Sequence, residues 1–383
     1  MIRTSDDYIL RTLHDKSYLI PIGQKIALGC PCIELNESGV LLWNAVSSGI
    51  PEDMLGDMLR RHYQTGSAPE TDFSKDAGAF LSRLLQIGAL TDKRDFTGTP
   101  CKYFRIAGLV TAFTGHTPCL DDSLAGFACE KTNAVAQHWI LRPLIFTPAF
   151  SGKIIINNRK LTLFSCEDYY ILMYPENRHL TMSRIAKDGS TAEFYHDHLV
   201  TADARTELLY GMRNAFLIMA QNNGFFALHS ASVSYGGRAW LFSGRSGTGK
   251  STHTALWHSL YHTEIINGDI NLIGMQDGNP MVYGTPWCGT SEIYSPETYR
   301  LGGIILLQQA VRNEVRELPE GLSPLLLFQR FISPTWFTWQ VDKCLAFADQ
   351  LQKLVKVCQL MCTPHPDSAR VMKSYIDSFL MES

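Results

Sequence analysis

The sequence predicts an α/β (α+β) protein in which a small winged-helix-like module precedes a larger domain with a mixed β-sheet flanked by helices. Its 383 residues exceed the length that one hydrophobic core usually serves, so two or three domains are expected. Short strands and then helical apolar spacing occupy the N-terminal part, and a strand, a glycine-rich loop and a helix follow one another past the middle. We place domains at 1–92, 103–200 and 201–383, with a polar, turn-rich linker at 93–102.

The composition is that of a globular protein, with 45% hydrophobic residues, 19% charged residues and a formal net charge of −3. Because the chain also lacks a basic stripe, we expect no nucleic-acid partner. No apolar run has the length of a transmembrane helix and the N-terminus lacks a signal-peptide core, so we expect no membrane partner and a cytoplasmic location. The 10 cysteines lack the C-x-x-C spacing of most zinc and redox sites, which favours reduced structural thiols.

The N-terminal module is predicted from turn residues and apolar spacing. Strands are expected at 18–21 and 32–35, and helices at 40–46, from Pro51 onward and at 72–87. Asn36 begins a turn that can cap the first of these helices, and Pro51 stands at a typical first helical position. Three short helices after a small β-ribbon make a compact winged-helix-like module.

Four motifs follow one another in this module. They are a Leu-Asn-Glu-Ser-Gly turn, a Leu-Leu-Trp helix, a proline-initiated helix and a closing Phe-Leu-x-x-Leu-x-x-x-Gly-x-Leu. Over residues 17–92 this pattern resembles PqqD-type domains, the peptide-recognition elements of pathways that modify ribosomal peptides. The resemblance implies that residues 17–92 bind a peptide or protein acceptor, which is added as a strand at a sheet edge. The alternative is a purely structural or oligomerisation module.

From residue 103 to about residue 199 the sequence predicts an antiparallel β-layer that leads into the catalytic core. Runs at 154–156, 161–164 and 169–174 have strand composition and are separated by turns. His196 and His198 alternate along the chain in this part. Two interpretations stay open for them: ligands that share a metal ion, or solvent-facing positions on an edge strand.

A complete G-x-x-x-x-G-K-[ST] motif fills residues 244–251 and is the strongest chemical signal in the chain. An apolar strand at 238–243 precedes it and an amphipathic helix follows, which is the order that a phosphate loop requires. Glycines let the backbone turn its N–H groups toward phosphate oxygens, and the helix adds its positive end. Lys250 is expected to reach the β- and γ-phosphates and Ser251 to ligate Mg²⁺. The predicted nucleotide-binding residues are Gly244, Arg245, Ser246, Gly247, Thr248, Gly249, Lys250, Ser251 and Thr252.

Further motifs accompany this loop, namely Leu-His-Ser-Ala-Ser-Val at 228–233 and Gly-Gly at 236–237. Together they resemble the C-terminal kinase domain of HPr kinase/phosphorylase, and the loop is also similar to that of ATP-dependent phosphoenolpyruvate carboxykinase, which shares this fold. The resemblance extends over about residues 103–375. It implies a P-loop phosphotransferase that uses ATP and Mg²⁺ to phosphorylate a hydroxyl, typically that of a serine. Because HPr kinases often form oligomers, a homo-oligomer is also implied.

The resemblance assigns Lys250, Asp269 and His229 as catalytic residues, with Ser251 and Asp269 as metal ligands. In HPr kinases a strand ends in paired aspartates, one for Mg²⁺ and one as general base, whereas here Gly268 stands at the partner position. A single carboxylate suffices when another group assists with the proton, and a histidine titrates near neutral pH, so His229 is the candidate to assist. The alternatives are a strand-end turn residue for Asp269 and a buried core histidine for His229.

A glycine- and proline-rich loop at 283–290 has a central aromatic residue, and related kinase-like sequences carry a similar Gly-Thr-Pro-Trp-x-Gly element. Loops on a rigid scaffold concentrate substrate contacts, so Thr285, Trp287 and Gly289 are expected to contact the acceptor or the nucleotide. Arg312 is expected either to stabilise transferred phosphate or to be a solvated surface residue. The remaining predicted elements are helices at 204–222, 325–331 and 344–355 and strands at 225–233, 304–307 and 359–362.

The leading hypothesis is an ATP- and Mg²⁺-dependent kinase that phosphorylates a Ser or Thr hydroxyl of a peptide or protein captured by the N-terminal module. One rival is a kinase for a small hydroxylated metabolite such as free serine. The other rival is a nucleotide-binding switch or peptide-delivery factor that performs no transfer, which the missing second aspartate favours.

Overall fold

The computed structural model describes residues 2–27, 30–63, 73–87, 89–92, 102–115, 121–143, 150–196, 201–319 and 321–382. These residues form a mixed α/β structure with several sheets and helices, as the predicted fold class requires. No helix in the described ranges combines the length and the apolar character needed to cross a membrane. Except for Lys102, the predicted linker lies outside the described residues.

The N-terminal region contains five strands and four helices in the described ranges. They are β1 Ile2–Thr4, β2 Tyr8–Leu13, β3 Lys16–Pro21, α1 Gln24–Ala27, β4 Ile33–Leu35, α2 Glu37–Ser47, α3 Glu52–Tyr63, α4 Phe73–Gln86 and β5 Leu90–Asp92. Strands β2, β3 and β4 form an antiparallel sheet, and β1 pairs with β5. The predicted helices and two strands are present, but β1 and β2 extend the module to its start, upstream of residue 17.

Local signals explain the helices of this region. The Asn36 side chain accepts a hydrogen bond from the Gly39 N–H at 2.9 Å and so caps α2 as predicted. Helix α2 buries Trp43 in a core with Leu19 and Leu84, whose other members also come only from this region. The N-terminal region therefore has a hydrophobic core of its own.

The next region is an eight-stranded sheet with the order β6-β7-β8-β13-β12-β11-β10-β9. Its elements are β6 Lys102–Ile106, β7 Leu109–Thr114, α5 Asp121–Leu124, β8 Gln137–Pro143, β9 Lys153–Asn157, β10 Thr162–Ser165, β11 Tyr169–Met173, β12 Leu180–Ala186 and β13 Thr191–His196. The predicted antiparallel layer is wrong at its centre, because β8 pairs in parallel with both β7 and β13. The long connection from β7 to β8, which contains α5, allows this parallel crossover.

His196 corrects a second expectation. Strand β13 lies inside the sheet between β12 and β8, and His196 is fully buried. Its Nε2 lies 3.2 Å from the Ala204 carbonyl oxygen, so the following helix covers it. A solvent-facing position on an edge strand is therefore wrong for His196, and His198 lies outside the described residues.

The C-terminal region holds the glycine-rich loop. Its elements are α6 Ala202–Asn222, β14 Phe226–Tyr235, β15 Arg238–Ser243, α7 Lys250–Tyr261, β16 Glu264–Asn267, β17 Ile270–Gln276, β18 Asn279–Tyr283, β19 Thr298–Gln309, β20 Glu314–Glu317, α8 Leu322–Phe328, α9 Thr338–Leu354, β21 Lys356–Cys362 and α10 Pro366–Glu382. Strands β14 and β15 form the predicted antiparallel hairpin. The pairings β14–β17–β18–β19–β15–β14 close a ring. Outside this ring, β16 pairs with β14, β21 pairs with β19, and β20 pairs with β21.

Helices cover both faces of this sheet. Along β15 the side chains alternate, so that Leu241 packs toward α8 and α9 while Trp240 and Phe242 pack toward α7 and α10. Helix α6 contacts strands of both large sheets, including β13 and β14. Strand β15, which leads into the glycine-rich loop, is therefore packed against helices on both faces.

Candidate functional site

The glycine-rich loop turns through two glycines with left-handed backbone conformations. Gly247 and Gly249 have positive φ angles of 78° and 104°, which glycine adopts without strain. Helix α7 begins directly at Lys250, and the His253 N–H donates to the Gly249 carbonyl at 2.9 Å. The first turn of α7 therefore presents free N–H groups and the positive end of its dipole to the loop.

Three cationic side chains meet at this loop. Lys250 Nζ donates to the carbonyl oxygen of Gly244 at 3.3 Å. Burial lowers the pKa of Lys250; the charge of Asp269 opposes this shift, and the charge of Arg330 adds to it. Burial also lowers the pKa of Arg330, and the charge of Arg245 adds to this effect. The Lys250, Arg245 and Arg330 charges repel one another, so a polyanion bound among them is stabilised.

The sequence reasoning did not select Arg330. It follows α8, and its backbone carbonyl accepts a hydrogen bond of 2.9 Å from the His229 N–H, which fixes it beside β14. No local motif marks this arginine, because only the fold brings the end of α8 to the loop.

His229 and Asp269 form a pair next to the loop. His229 Nε2 lies 3.1 Å from Asp269 Oδ1, and each side chain is 32% exposed. The hydrogen bond from His229 lowers the pKa of Asp269, with smaller contributions in the same direction from Arg213 and Lys250. Asp269 is therefore ionised at neutral pH. Because the His229 side chain is partly exposed, the interpretation of His229 as a buried core histidine does not hold.

A polar turn holds Asp269 in place between β16 and β17. The Asn267 Oδ1 accepts hydrogen bonds from the N–H groups of Asp269 and Ile270 at 2.9 and 3.0 Å. The Asn267 amide donates to the Thr285 carbonyl at 3.1 Å, and the Thr285 hydroxyl donates to the Ile270 carbonyl at 2.9 Å. Thr285, a predicted substrate contact, is buried and supports this turn.

Gly268, the position of the expected second carboxylate, has no room for a side chain. A Cβ built there would collide with the Ser291 hydroxyl and would lie 2.7 Å from the Ser291 Cβ. Ser291 belongs to a short 3₁₀ turn over Gly289–Ser291 and donates to the Cys288 carbonyl at 2.7 Å. The glycine is thus the residue that lets this turn approach the strand end.

A cavity of about 690 Å³ opens beside Asp269, and we call it the Asp269 cavity. Its wall includes Arg205, Leu209, Tyr210, Arg213, Asp269 and Trp287. The Trp287 Nε1–H donates to the Leu209 carbonyl at 3.0 Å, which joins the predicted substrate loop to α6. At Gly289, φ is 65° and a Cβ would come within 3.0 Å of the Asp269 Cβ, so glycine permits the close approach.

The structure therefore brings together most of the predicted site residues. Trp287 and Gly289 line the Asp269 cavity, whereas Arg312 is exposed after β19 and is not part of the cavity wall. Arg205 and Arg213, which the sequence reasoning did not select, line the cavity from α6. They are eight residues apart, which places them on one face of a helix. This spacing was the signal in the sequence from which they could have been predicted.

The predicted metal ligands fit a magnesium ion held mainly by phosphate. Ser251 offers an exposed hydroxyl in the first turn of α7, and Asp269 offers an ionised carboxylate. In the described part of the chain, no three His, Cys, Asp or Glu side chains group into a metal site of their own. Mg²⁺ commonly takes one or two protein oxygens and completes its octahedron with phosphate oxygens and water, which this donor set suits.

No family model matches the chain, and no curated protein is significantly similar to it in sequence. Its function is therefore inferred from the site itself.

Proposed function

We propose that the protein is an ATP- and Mg²⁺-dependent kinase that phosphorylates a Ser or Thr hydroxyl of a peptide or protein bound by residues 17–92. In this proposal the C-terminal region is HPr-kinase-like and the N-terminal module is PqqD-like. One observation carries it: Asp269 lies between a phosphate loop with three cations and a cavity large enough for an acceptor group. A pocket of this volume is in the usual range for small-molecule and side-chain ligands.

The reaction follows from this placement. The acceptor hydroxyl enters the Asp269 cavity and gives its proton to the Asp269 carboxylate as its oxygen bonds to the γ-phosphorus. The bond from that phosphorus to the β–γ bridging oxygen breaks, and ADP leaves. Lys250, Arg245 and Arg330 offset the charge on the phosphate oxygens, and a bound Mg²⁺ supplies further neutralisation. His229 holds the carboxylate through their 3.1 Å contact, so its role is to position Asp269.

The N-terminal module offers a way to hold the acceptor. In its three-stranded sheet β2 and β4 are the outer strands. An extended peptide can pair with such an edge through main-chain hydrogen bonds. Tethering of this kind raises the local acceptor concentration to about the millimolar range, which compensates for a weakly selective catalytic pocket.

A nucleotide-binding switch without transfer is the second candidate. The observation that favours it is Gly268, where Ser291 fills the space of a second carboxylate. In that case nucleotide binding would change how the module presents its peptide, and no acceptor would be modified.

The test is phosphate transfer by the full-length protein. Candidate peptides encoded by neighbouring genes are incubated with ATP and Mg²⁺, and the product mass is measured. We expect Asp269→Asn and Lys250→Ala to lower the rate by about 10²- to 10⁴-fold, because each removes a group that acts at the transferred phosphoryl or its acceptor. Asp277→Asn is the matched control, since Asp277 is an exposed turn residue between β17 and β18 of the same sheet.

The outcomes separate the candidates. Nucleotide binding without a phosphorylated product across all acceptors would favour the switch. Transfer to free serine that survives deletion of residues 1–92 would identify a metabolite kinase. Full activity in Lys250→Ala would contradict the mechanism.

A further inference from the structure

The wall of the Asp269 cavity that α6 provides is cationic. Arg205 and Arg213 both line the cavity, and Leu209 lies between them on the same helix face. Asp269, at which the acceptor hydroxyl is placed in the proposed function, lines the same cavity. A ligand in this cavity therefore lies beside both arginines and beside Asp269.

Arg213 is held by an aromatic ring, and its Nε has no hydrogen-bond acceptor among the described residues. Its guanidinium carbon lies 4.4 Å from the centre of the Tyr210 ring, and that ring packs edge-on against the buried Tyr174. Its Nε is buried and forms no hydrogen bond with any residue that the structure describes. A buried donor without an acceptor costs free energy, so a ligand that accepts a hydrogen bond from Arg213 is favoured.

The carboxylates nearest to these arginines have other partners, although the charges of Asp269 and Arg213 attract each other at longer range. Glu207, on the same helix, accepts hydrogen bonds from the main-chain N–H groups of Arg178, His179 and Leu180. Asp269 is bound to His229, and the remaining acidic residue of the wall, Glu292, is exposed. Within the described ranges neither Arg205 nor Arg213 forms an ion pair, since no carboxylate oxygen lies within 4.0 Å of them.

We propose that Arg213, with Arg205, binds an anionic group of the acceptor, a carboxylate or a phosphate, while the acceptor hydroxyl lies at Asp269. This inference rests on the proposed kinase function and names its substrate class: a hydroxyl-bearing residue or molecule with an anionic group one side chain away. The planar guanidinium donates two parallel hydrogen bonds to two oxygens of such a group, and the Tyr210 ring holds it ready to do so.

The test measures binding separately from transfer. Short fluorescent peptides carry a central serine and neutral neighbours, with Glu, phosphothreonine or Gln placed at one flanking position at a time. Dissociation constants are measured by fluorescence anisotropy with the full-length protein in saturating MgADP, which keeps the phosphate loop occupied. Arg213→Gln and Arg205→Gln are compared with Arg312→Gln, which makes the same charge change at an exposed position outside the cavity.

We expect the Glu or the phosphothreonine peptide to bind about tenfold more tightly than its Gln counterpart at one position, in the unaltered protein and in Arg312→Gln. In Arg213→Gln the ratio falls below about twofold, Arg205→Gln gives a smaller reduction, and Arg213→Lys keeps part of the preference. Unchanged MgADP affinity shows that each variant is folded. Which anionic peptide binds more tightly distinguishes a carboxylate from a phosphate.

Two results would overturn the inference: no preference for an anionic peptide in the unaltered protein, or a preference that survives in Arg213→Gln. Transfer assays on the same proteins keep the two proposals distinct. Phosphate transfer without an anion preference contradicts the inference alone. Anion-dependent binding without any transfer contradicts the kinase function and leaves the ligand class of the cavity standing.

Discussion

The N-terminal region and the C-terminal region of this protein are stabilised in different ways. Among the described residues from Ile2 to Asp92, the fully packed side chains are apolar or aromatic, apart from Ser5. The C-terminal region has comparable apolar cores but also buries a set of polar side chains around the site, including Ser230, Asn267 and Asn271. The core of the first region is therefore specified by an apolar pattern, whereas the core of the second also depends on which polar groups meet.

The buried polar groups of the C-terminal region form connected hydrogen bonds. The Asn271 amide donates to the Ser230 carbonyl at 2.6 Å, and its oxygen accepts from the Ser232 hydroxyl at 2.6 Å. The Ser230 N–H in turn donates to the Asp269 carbonyl at 3.0 Å. Satisfied networks of this kind fix a single arrangement, and here they fix the part of β14 that carries His229 and the turn that carries Asp269.

The largest expected contrast between the regions is their response to acid. His253 is buried against Phe242, its ring nitrogens have no hydrogen-bond partner in the described part of the chain, and burial lowers its pKa from 6.5 to about 4. Below pH 6.5 the unfolded chain takes up a proton that the folded chain refuses until about pH 4. The contribution of His253 to stability is thus lost as the pH falls through this window, by ~3 kcal/mol in total, and does not change further below it.

Urea unfolding between pH 7 and pH 4 checks this prediction. In His253→Phe, the decrease in unfolding free energy of the C-terminal region over this range is expected to be smaller by ~2–3 kcal/mol. The N-terminal region, whose His14 and His62 are exposed, serves as the internal reference. An identical pH dependence in the variant and the unaltered protein would show that His253 does not couple stability to pH.

The next contrast comes from the polar network. Replacement of Asn271 by Leu leaves the Ser232 hydroxyl and the Ser230 carbonyl without their short hydrogen bonds, so we expect the C-terminal region to lose ~2–3 kcal/mol of unfolding free energy. The matched change in the N-terminal core, Leu19→Met, alters shape without stranding a polar group and should cost less than ~1.5 kcal/mol.

Denaturant unfolding of both variants, with tryptophan fluorescence as the probe, gives the two values. Equal losses would remove the distinction between the regions, because the network would then contribute no more than apolar packing. An Asn271→Leu variant with an unchanged free energy of unfolding would contradict this distinction directly.

This difference also explains what the sequence could predict. The spacing of apolar residues and the cap at Asn36 were enough for α2, α3 and α4, and the phosphate-loop motif was enough to place β15 and α7. Pairings between distant strands were not accessible, because β8 lies between two parallel partners that no local pattern specifies. The same holds for Arg330, which reaches the site only through tertiary packing.

The smallest expected effect concerns the missing carboxylate. In Gly268→Asp the new side chain meets Ser291, so the turn over Gly289–Ser291 must move away from Asp269, and we expect a loss of ~1–3 kcal/mol in unfolding free energy. Phosphate transfer should not rise, because Gly289 is displaced from Asp269 at the same time. Gly268→Asp combined with Ser291→Gly removes the collision and should recover most of the stability. A single variant with unchanged stability and faster transfer would show instead that the site accepts a second carboxylate, and that its polar packing is less constraining than the buried network of the C-terminal region indicates.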